Sequence, residues 1–236
     1  MQNLKLNPSL KISVLIVPNT DISVYVIDDF LLDTASVLNF AHKVAYYHPM
    51  FSDNSFYPGK RDHMPEPYMR LLASFFKDYM LPRISRTEYQ SVTFHKCLLS
   101  LITCQPDALI LDQKVPHIDS FDDRDFAFVH YLSTANLGGT SIYRFIPANL
   151  VEFKEKDKGV LSEMLIKAAE SPHEHSGYLN ETTSVFERVL KIEPKFNRLV
   201  IYQGNILHSA NINCASGCNQ DPKVGRLSIS SFASVR

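Results

Sequence analysis

The tripeptide His117-Ile118-Asp119 carries two side chains of types that bind metal ions in proteins. If its backbone is extended, His117 and Asp119 point to the same side, because side chains on a strand alternate between faces. They would then supply two of the three ligands of a metal site. The same spacing arises by chance in a chain with nine histidines, and a hydrogen-bonded pair at a strand end is the alternative. Donors elsewhere in the chain decide between the two interpretations.

Two strand-like segments later in the chain carry residues that would complete such a site. The apolar segment 197–210 contains His208. The segment 225–230 contains Arg226 and Ser228, which share one face of a strand by the same alternation. Each has an ordinary interpretation by itself, because His208 fits a core histidine and Arg226 a surface cation.

Between these segments, strand 126–133 contains Tyr131, and a glycine pair at 138–139 turns the chain into the next strand. In this order the segments resemble the Fe(II)/2-oxoglutarate-dependent dioxygenases, most closely their prolyl-hydroxylase-like branch. The resemblance covers residues 95–146 and 183–233. It implies a mainly β (α+β) fold with a double-stranded β-helix, or jelly-roll, core and N-terminal buttressing helices.

The resemblance also implies a role for each residue of the set. It implies that three residues bind Fe(II): His117, Asp119 and His208. It further implies that Arg226 and Ser228 bind the distal carboxylate of 2-oxoglutarate and that Tyr131 contacts the same carboxylate. The implied reaction hydroxylates a substrate with O2 and decarboxylates 2-oxoglutarate to succinate.

The chemistry of the residue types agrees with these roles. Two neutral imidazoles and one carboxylate on one side of a metal leave the opposite positions open, which suits non-haem iron chemistry. A closed zinc site needs a fourth protein ligand. A buried dianion requires a fixed positive charge, and a guanidinium meets a carboxylate through two parallel hydrogen bonds.

Two other classes of function stay open. The first is a non-catalytic, cupin-like binding or sensor module that keeps the barrel and a metal. The second is a zinc- or manganese-containing cupin-like enzyme that uses no 2-oxo acid. Conversion of 2-oxoglutarate to succinate distinguishes the oxygenase from both.

Composition sets outer limits on the fold and the partners. A length of 236 residues with 45% hydrophobic residues fits one domain, 1–236, with an N-terminal layer at 1–90 and a β core at 91–236. The net charge of -1 provides no strong field for nucleic acid. An amino acid, peptide or small metabolite is therefore the expected substrate, and the oligomeric state stays open.

The chain has neither the apolar core of a signal peptide nor the roughly 18 apolar residues of a membrane helix. It is expected to be cytoplasmic, without a membrane partner. The cysteines Cys97, Cys104, Cys214 and Cys218 are too few and too unevenly spaced for a disulfide framework, so reduced thiols are expected.

Local patterns predict the elements that position these residues. Residues 10–17 and 22–27 are predicted to pair as strands, and helices are predicted from Asp33 to Val44 and over 67–79, with Pro82 ending the second. Further strands are predicted at about 91–104, 108–112, 115–119, 126–133, 141–145, 183–193, 198–203, 206–210 and 226–233.

An insertion at 147–182, with a helix at 160–169, is expected to lie over one end of the sheet, where it would cover the site. His173 and His175 within it are predicted to be solvated, with a substrate lid as the alternative. The side chain of His130 is predicted to point outward or to take part in packing. Arg144 is predicted to lie at the surface rather than to form a second contact with the anion. Three residues of a predicted turn are candidates for the entrance of the site: Tyr57, Lys60 and Arg61.

Overall fold

The computed structural model describes residues 4–84, 89, 91–213 and 217–236. The protein is mainly β with a few helices. The strands of the described part are β1 Lys11–Ile16, β2 Ser23–Asp28, β3 Gly59–His63, β4 Val92–Ile102, β5 Asp125–Tyr131, β6 Thr140–Phe145, β7 Phe186–Ile192, β8 Arg198–Gln203, β9 His208–Ala210 and β10 Leu227–Val235. They form two antiparallel sheets.

The larger sheet has seven strands in the order β1-β2-β8-β5-β10-β4-β3, and the smaller has three in the order β7-β6-β9. In the larger sheet, β10 pairs with both β5 and β4, so Ser228 stands opposite Tyr131 on one side and Ser100 on the other. The chain therefore brings strands that are far apart in sequence side by side. Residues near both ends of the predicted core meet in the middle of this sheet.

Helices cover one face of the larger sheet. They are α1 Ala35–Lys43, α2 Glu66–Phe75 and the short α3 Leu81–Arg83, with a π-helical turn at Phe76–Met80 between the last two. The apolar sides of α1 and α2 pack on the sheet through Val37, Leu72 and Phe75. This confirms both predicted helices. Pro82 lies within α3, so the helical segment ends just after it rather than before it.

Three local predictions were wrong. The predicted turn at 57–61 is in large part strand β3, which pairs with β4 because Gly59 allows the backbone of Leu101 to approach closely. The predicted strand at 108–112 is instead a 3-10 turn followed by helix α4, Leu111–Lys114. Residues 115–119 are not a ladder strand, because their pairing with the smaller sheet is one isolated bridge, His117 to His208.

The insertion at 147–182 carries helix α5, Lys158–Glu170. Met164 and Ala168 bury its inner side in an apolar cluster with Phe145 and Phe186 of the smaller sheet. The predicted helix at 160–169 is therefore confirmed. Among the described residues, no helix is long and apolar enough to cross a membrane.

His130 joins three elements through hydrogen bonds beneath the helices. Its side chain is fully buried, with Nδ1 2.9 Å from the Tyr68 hydroxyl and Nε2 3.1 Å from Asn197 Oδ1. The Asn197 amide nitrogen donates to Leu31 O, so Oδ1 faces His130 as an acceptor. Nε2 therefore carries the proton, and Nδ1 accepts from Tyr68. Burial lowers the pKa of His130 to about 4.

We expect this histidine to make folding stability depend on pH. Its pKa is near 6.5 in the unfolded chain and about 4 in the folded one, so acid favours the unfolded state. The stabilising contribution is complete above pH 6.5 and is lost as the pH falls toward 4, by up to about 1.4 kcal/mol per pH unit. Urea unfolding between pH 7 and 5 should show a shallower pH slope in His130→Gln than in the wild type.

The exposed His63 provides the matched control. His63→Gln should keep the wild-type slope. Equal slopes for the wild type and His130→Gln would contradict the assignment of a neutral, buried imidazole.

Candidate metal centre

Backbone hydrogen bonds bring His117, Asp119 and His208 together. The N–H of His117 donates to His208 O at 2.8 Å, and the N–H of His208 donates to His117 O at 2.9 Å. The N–H of Asp119 donates to Gly204 O at 2.7 Å. The extended segment at 115–119 is thus fixed against the chain that leads into β9, and the alternation of an extended backbone turns His117 and Asp119 the same way.

The three side chains converge on one point. His117 Nε2 lies 3.8 Å from Asp119 Oδ1, and His208 Nε2 lies 3.5 Å from Asp119 Oδ2. One donor atom from each residue lies within 4.8 Å of the other two. In the described part of the chain this is the one His/Cys/Asp/Glu cluster with such spacing.

The protonation of the triad suits a metal ion. Nδ1 of His208 donates to Ile206 O at 2.8 Å, which leaves the Nε2 lone pair directed at Asp119. Burial lowers the pKa of His208 to about 4. Loss of hydration at the wall of the recessed cavity, together with the charge that a protonated His208 would carry, lowers the pKa of His117 to about 4. Both imidazoles are therefore neutral at pH 7. The His117 side chain is 55% exposed, whereas those of Asp119 and His208 are 18% and 7% exposed.

These residues fit a divalent ion. The set of two imidazole nitrogens and one carboxylate is the donor set of non-haem iron sites with open positions. The cluster lacks a fourth described ligand, which a closed structural zinc site would require. The exposed side of His117 faces a cavity and leaves room for further ligands.

The triad lines a cavity of about 680 Å³ between the two sheets. Its size is in the range of small-molecule sites. Arg226, Ser228, Thr140 and Tyr202 lie at its wall together with the triad. Helix α5 adds an apolar wall through Leu161, Met164 and Leu165.

Arg226 is a buried cation of this cavity, with 4% of its surface exposed. Its Nε donates to Gly138 O at 2.8 Å, and its Nη2 donates to Gly139 O at 3.1 Å. Among the described residues no carboxylate pairs with it. Gly138 has a φ of 107°, and a Cβ there would lie 1.7 Å from Asn211 O. The glycine pair therefore supplies carbonyl acceptors at a turn that no other residue fits.

Two buried hydroxyl groups near Arg226 form no hydrogen bond of normal geometry with any described residue, although the side chains of Ser100 and Ser228 lie beside the Tyr57 phenol. They belong to Ser228 and to Tyr57. Burial raises the pKa of Tyr57, and the charge of Arg226 opposes this increase, which places the phenol close to the guanidinium. Buried hydroxyls are normally satisfied, so a cation beside two unpartnered donors is an arrangement suited to an anion.

Tyr131 lies beside this group but does not line the cavity. The Arg226 guanidinium carbon is 5.6 Å from the Tyr131 ring centre, and the Tyr131 hydroxyl is 2.7 Å from Thr140 Oγ1. The structure thus places Tyr131 under Arg226 with its hydroxyl engaged. Its contact with a carboxylate stays a prediction.

Tyr202 was missed by sequence reasoning. Its ring centre lies 4.8 Å from that of His208, and it lines the cavity. Burial and the charge of Asp119 raise its pKa well above the usual value. No periodic signal in the sequence joins positions 202 and 208, because a turn separates β8 from β9 and the two strands belong to different sheets. For Tyr57 and Arg61, the prediction that they line the site agrees with the structure.

The remaining candidates lie away from the triad. His175 was predicted to be solvated, but it is 3% exposed, because its ring packs edge-on against Phe186. His173 is exposed and lies 3.7 Å from Glu174. Arg144 forms an ion pair with Glu187 at 2.9 Å outside the cavity. Lys60 is half-buried and does not line the cavity. Cys214 lies outside the described residues.

Comparison with protein families gives one match. The model of a family of unknown function, DUF6445, matches residues 8–233. The chain belongs to this family. A comparison with curated proteins found no match.

Several solved structures resemble the protein over most of its length. The epimerase SnoN, described as non-haem and α-ketoglutarate-dependent, from nogalamycin biosynthesis, is 13% identical, with 84% of this chain and 69% of SnoN covered and a TM-score of 0.41. HygX from Streptomyces hygroscopicus, with nickel, 2-oxoglutarate and hygromycin B bound, is 9% identical, with 89% and 81% covered and a TM-score of 0.45. AviO1 from Streptomyces viridochromogenes Tue57 is 12% identical, with 85% and 79% covered and a TM-score of 0.38.

We expect Asp119→Ala to weaken Fe(II) binding by at least about 100-fold, because it removes the charged ligand of the triad. Anaerobic calorimetric titration with Fe(II) should give one site per chain in the wild type. Asp107→Ala, at an exposed aspartate in the 3-10 turn before α4, is the control and should bind as the wild type does. Unchanged affinity in Asp119→Ala would show that the triad is not the binding site.

Proposed function

We propose that the protein is an Fe(II)- and 2-oxoglutarate-dependent oxygenase built on a double-stranded β-helix, which hydroxylates an amino acid, peptide or small metabolite. The observation that carries the proposal is a buried Arg226 that pairs with no carboxylate of the described residues and lies in the same cavity as the His117, Asp119 and His208 triad. The triad supplies ligands for a metal ion, and Arg226 supplies a positive charge that an anion would neutralise.

Charge balance supports a dianionic cosubstrate. A buried guanidinium is costly unless an anion pairs with it, and the carbonyls of Gly138 and Gly139 carry only partial charges. An Fe(II) ion on two neutral imidazoles and Asp119 leaves a net charge of one positive unit at the metal. Together with Arg226 this makes two positive charges, and the two carboxylates of 2-oxoglutarate neutralise both.

The described residues have distinct tasks in this mechanism. Arg226 would bind the distal carboxylate, since its Nε and Nη2 donate to the glycine carbonyls and the free end of the guanidinium remains for the ligand. Ser228 would donate its unpartnered hydroxyl to the same carboxylate. Ile206 O orients His208, so that its Nε2 is available to the metal. The recessed cavity restricts water around the reacting groups.

His117, Asp119 and His208 would hold the metal. When bound, Fe(II) and 2-oxoglutarate supply the oxidising chemistry, with O2 consumed and succinate and CO2 released. The rest of the cavity, along α5 and β3, remains for the substrate, because 680 Å³ exceeds the needs of a five-carbon diacid.

A cupin-like binding module or an enzyme without a 2-oxo acid is the competing function. It shares the metal triad but gives no reason for a buried Arg226 without a counter-ion. Binding of 2-oxoglutarate at the metal therefore separates the two proposals.

We expect the anaerobic Fe(II) protein to develop a weak visible metal-to-ligand charge-transfer band when 2-oxoglutarate is added, and to form succinate when O2 is admitted. Arg226→Gln should raise the dissociation constant of 2-oxoglutarate at least about 30-fold, because it removes one partner of a buried charge pair. Fe(II) affinity should stay within a few-fold, since Arg226 is not in the triad.

Arg144→Gln is the control, because it removes a different arginine, one that pairs with Glu187 and lies outside the cavity. It should bind 2-oxoglutarate as the wild type does. If the Fe(II) protein shows no band and no 2-oxoglutarate binding by calorimetry, the oxygenase proposal fails and the binding module is favoured.

A further inference from the structure

A second arginine, Arg61, faces the same cavity from strand β3. Across the larger sheet, Arg61 stands opposite Ser100, and Ser100 stands opposite Ser228. Two strand spacings of about 4.8 Å separate the backbones of Arg61 and Ser228, or about 10 Å. Arg61 therefore enters the cavity from a different strand than the arginine assigned to 2-oxoglutarate, and its own side-chain contacts bear on its role.

The Arg61 guanidinium is held rigidly by one of its nitrogens. Nη1 donates to Asp53 Oδ2 at 3.0 Å and to Ser55 Oγ at 3.2 Å. The guanidinium carbon lies 3.9 Å from the centre of the Tyr57 ring, so the planar group stacks on the phenol. The side chain is 13% exposed. Its position is thus fixed before any ligand arrives.

The other edge of the guanidinium is unused. Nε is buried and has no hydrogen-bond partner, and neither it nor Nη2 donates to any residue that the structure describes. The Nε and Nη2 edge is one of the two edges through which an arginine binds a carboxylate with two parallel hydrogen bonds. A purely structural arginine for the Asp53 loop would need only the Nη1 contacts.

The charge around Arg61 leaves it able to bind an anion. Asp53 is its ion-pair partner, but Lys96 also reaches this loop, with Nζ 3.3 Å from Asp53 O. Arg61 thus pairs with the Asp53 carboxylate, whereas Lys96 contacts the backbone carbonyl of the same residue. Both Arg61 and Lys96 line the cavity, so two cations stand beside Asp53 at this part of the wall.

Another part of the wall is apolar. Leu161 and Leu165, one turn apart on α5, line the cavity together with Val115 and Phe56. A ligand that satisfies both parts combines an anionic group with a hydrocarbon body. Side chains of this type favour contact with the hydrocarbon part of a ligand on that side.

We propose that Arg61 binds a carboxylate of the substrate through Nε and Nη2, and that the apolar part of the substrate lies against Leu161 and Leu165. The inference rests on the proposed oxygenase function and narrows its substrate to a carboxylic acid with an apolar body. The cosubstrate and the substrate then use different arginines.

The test uses the anaerobic Fe(II) protein saturated with 2-oxoglutarate, so that Arg226 is already occupied. The probes are straight-chain monocarboxylates from propionate to octanoate and their primary amides, titrated by calorimetry. Each acid should bind at least about tenfold more tightly than its amide, because it pairs with a desolvated cation. Affinity should rise with chain length by up to about fourfold per methylene group.

Variants separate the two parts of the site. Arg61→Gln should reduce the affinity of each acid to that of its amide. The charge-transfer band of bound 2-oxoglutarate and the dependence of affinity on chain length should both stay unchanged. Leu161→Ser should weaken the dependence of affinity on chain length. The difference in affinity between each acid and its amide should stay unchanged. Arg144→Gln should change neither. Arg61→Lys keeps the charge and the fold of the loop but lacks the planar pair of donors that binds a carboxylate through two hydrogen bonds. Its affinity for the acids should therefore still fall at least about tenfold.

Three results would overturn the proposal. They are equal affinity of acids and amides in the wild type, unchanged acid binding in both Arg61 variants, and displacement of the acids by excess 2-oxoglutarate. If the oxygenase proposal is wrong, the result is different, because the Fe(II) protein then shows no charge-transfer band when 2-oxoglutarate is added. The comparison of acid and amide is then made on Arg226→Gln, in which Arg61 is the one arginine left among the described residues that line the cavity, and equal binding there also overturns the assignment.

Discussion

The buried guanidinium of Arg226 is the constraint on which the rest of the site depends. A cation that is 4% exposed needs acceptors from the protein and an anion in the cavity. The acceptors are the carbonyls of Gly138 and Gly139, where a side chain would collide with neighbouring backbone. This requirement explains why a glycine pair stands between two buried strands and why Tyr131 lies with its ring near the guanidinium.

The alternation of side chains divides the larger sheet into two chemically different faces. On β5, Phe126, Phe128 and His130 point toward the helices, whereas Tyr131 packs between the sheets. On β10, Leu227 and Ile229 join the helix side, and Ser228 faces the cavity. A one-residue slip in either strand would exchange the two sets. The same pairing that builds the apolar core therefore also sets the polar lining of the cavity.

The metal triad depends on tertiary pairing in a different way. Its two histidines come from segments about ninety residues apart, and the contact that joins them is a single backbone bridge rather than a ladder. Isolated bridges have no periodic signal in the sequence, which is why residues 115–119 were predicted to be an ordinary strand. Helix α5, also inserted between these segments, adds an apolar wall to the cavity without contributing to the triad.

The sequence by itself determined the mainly β character, both N-terminal helices and α5, because these rest on local periodicity. It also offered His117 and Asp119 as donor types at short spacing, whereas His208 lies about ninety residues further and joins them only through tertiary pairing. Only the tertiary structure decided that Tyr202 lines the cavity and that His175 is buried, whereas Tyr57 and Arg61 were already candidates for the lining from the sequence. Strand β3 was missed because its charged sequence has no alternating apolar pattern. It forms a strand because it pairs with β4 at the edge of the sheet. Local sequence fixes which groups a chain offers, whereas the pairing of distant strands decides which of them face the same cavity.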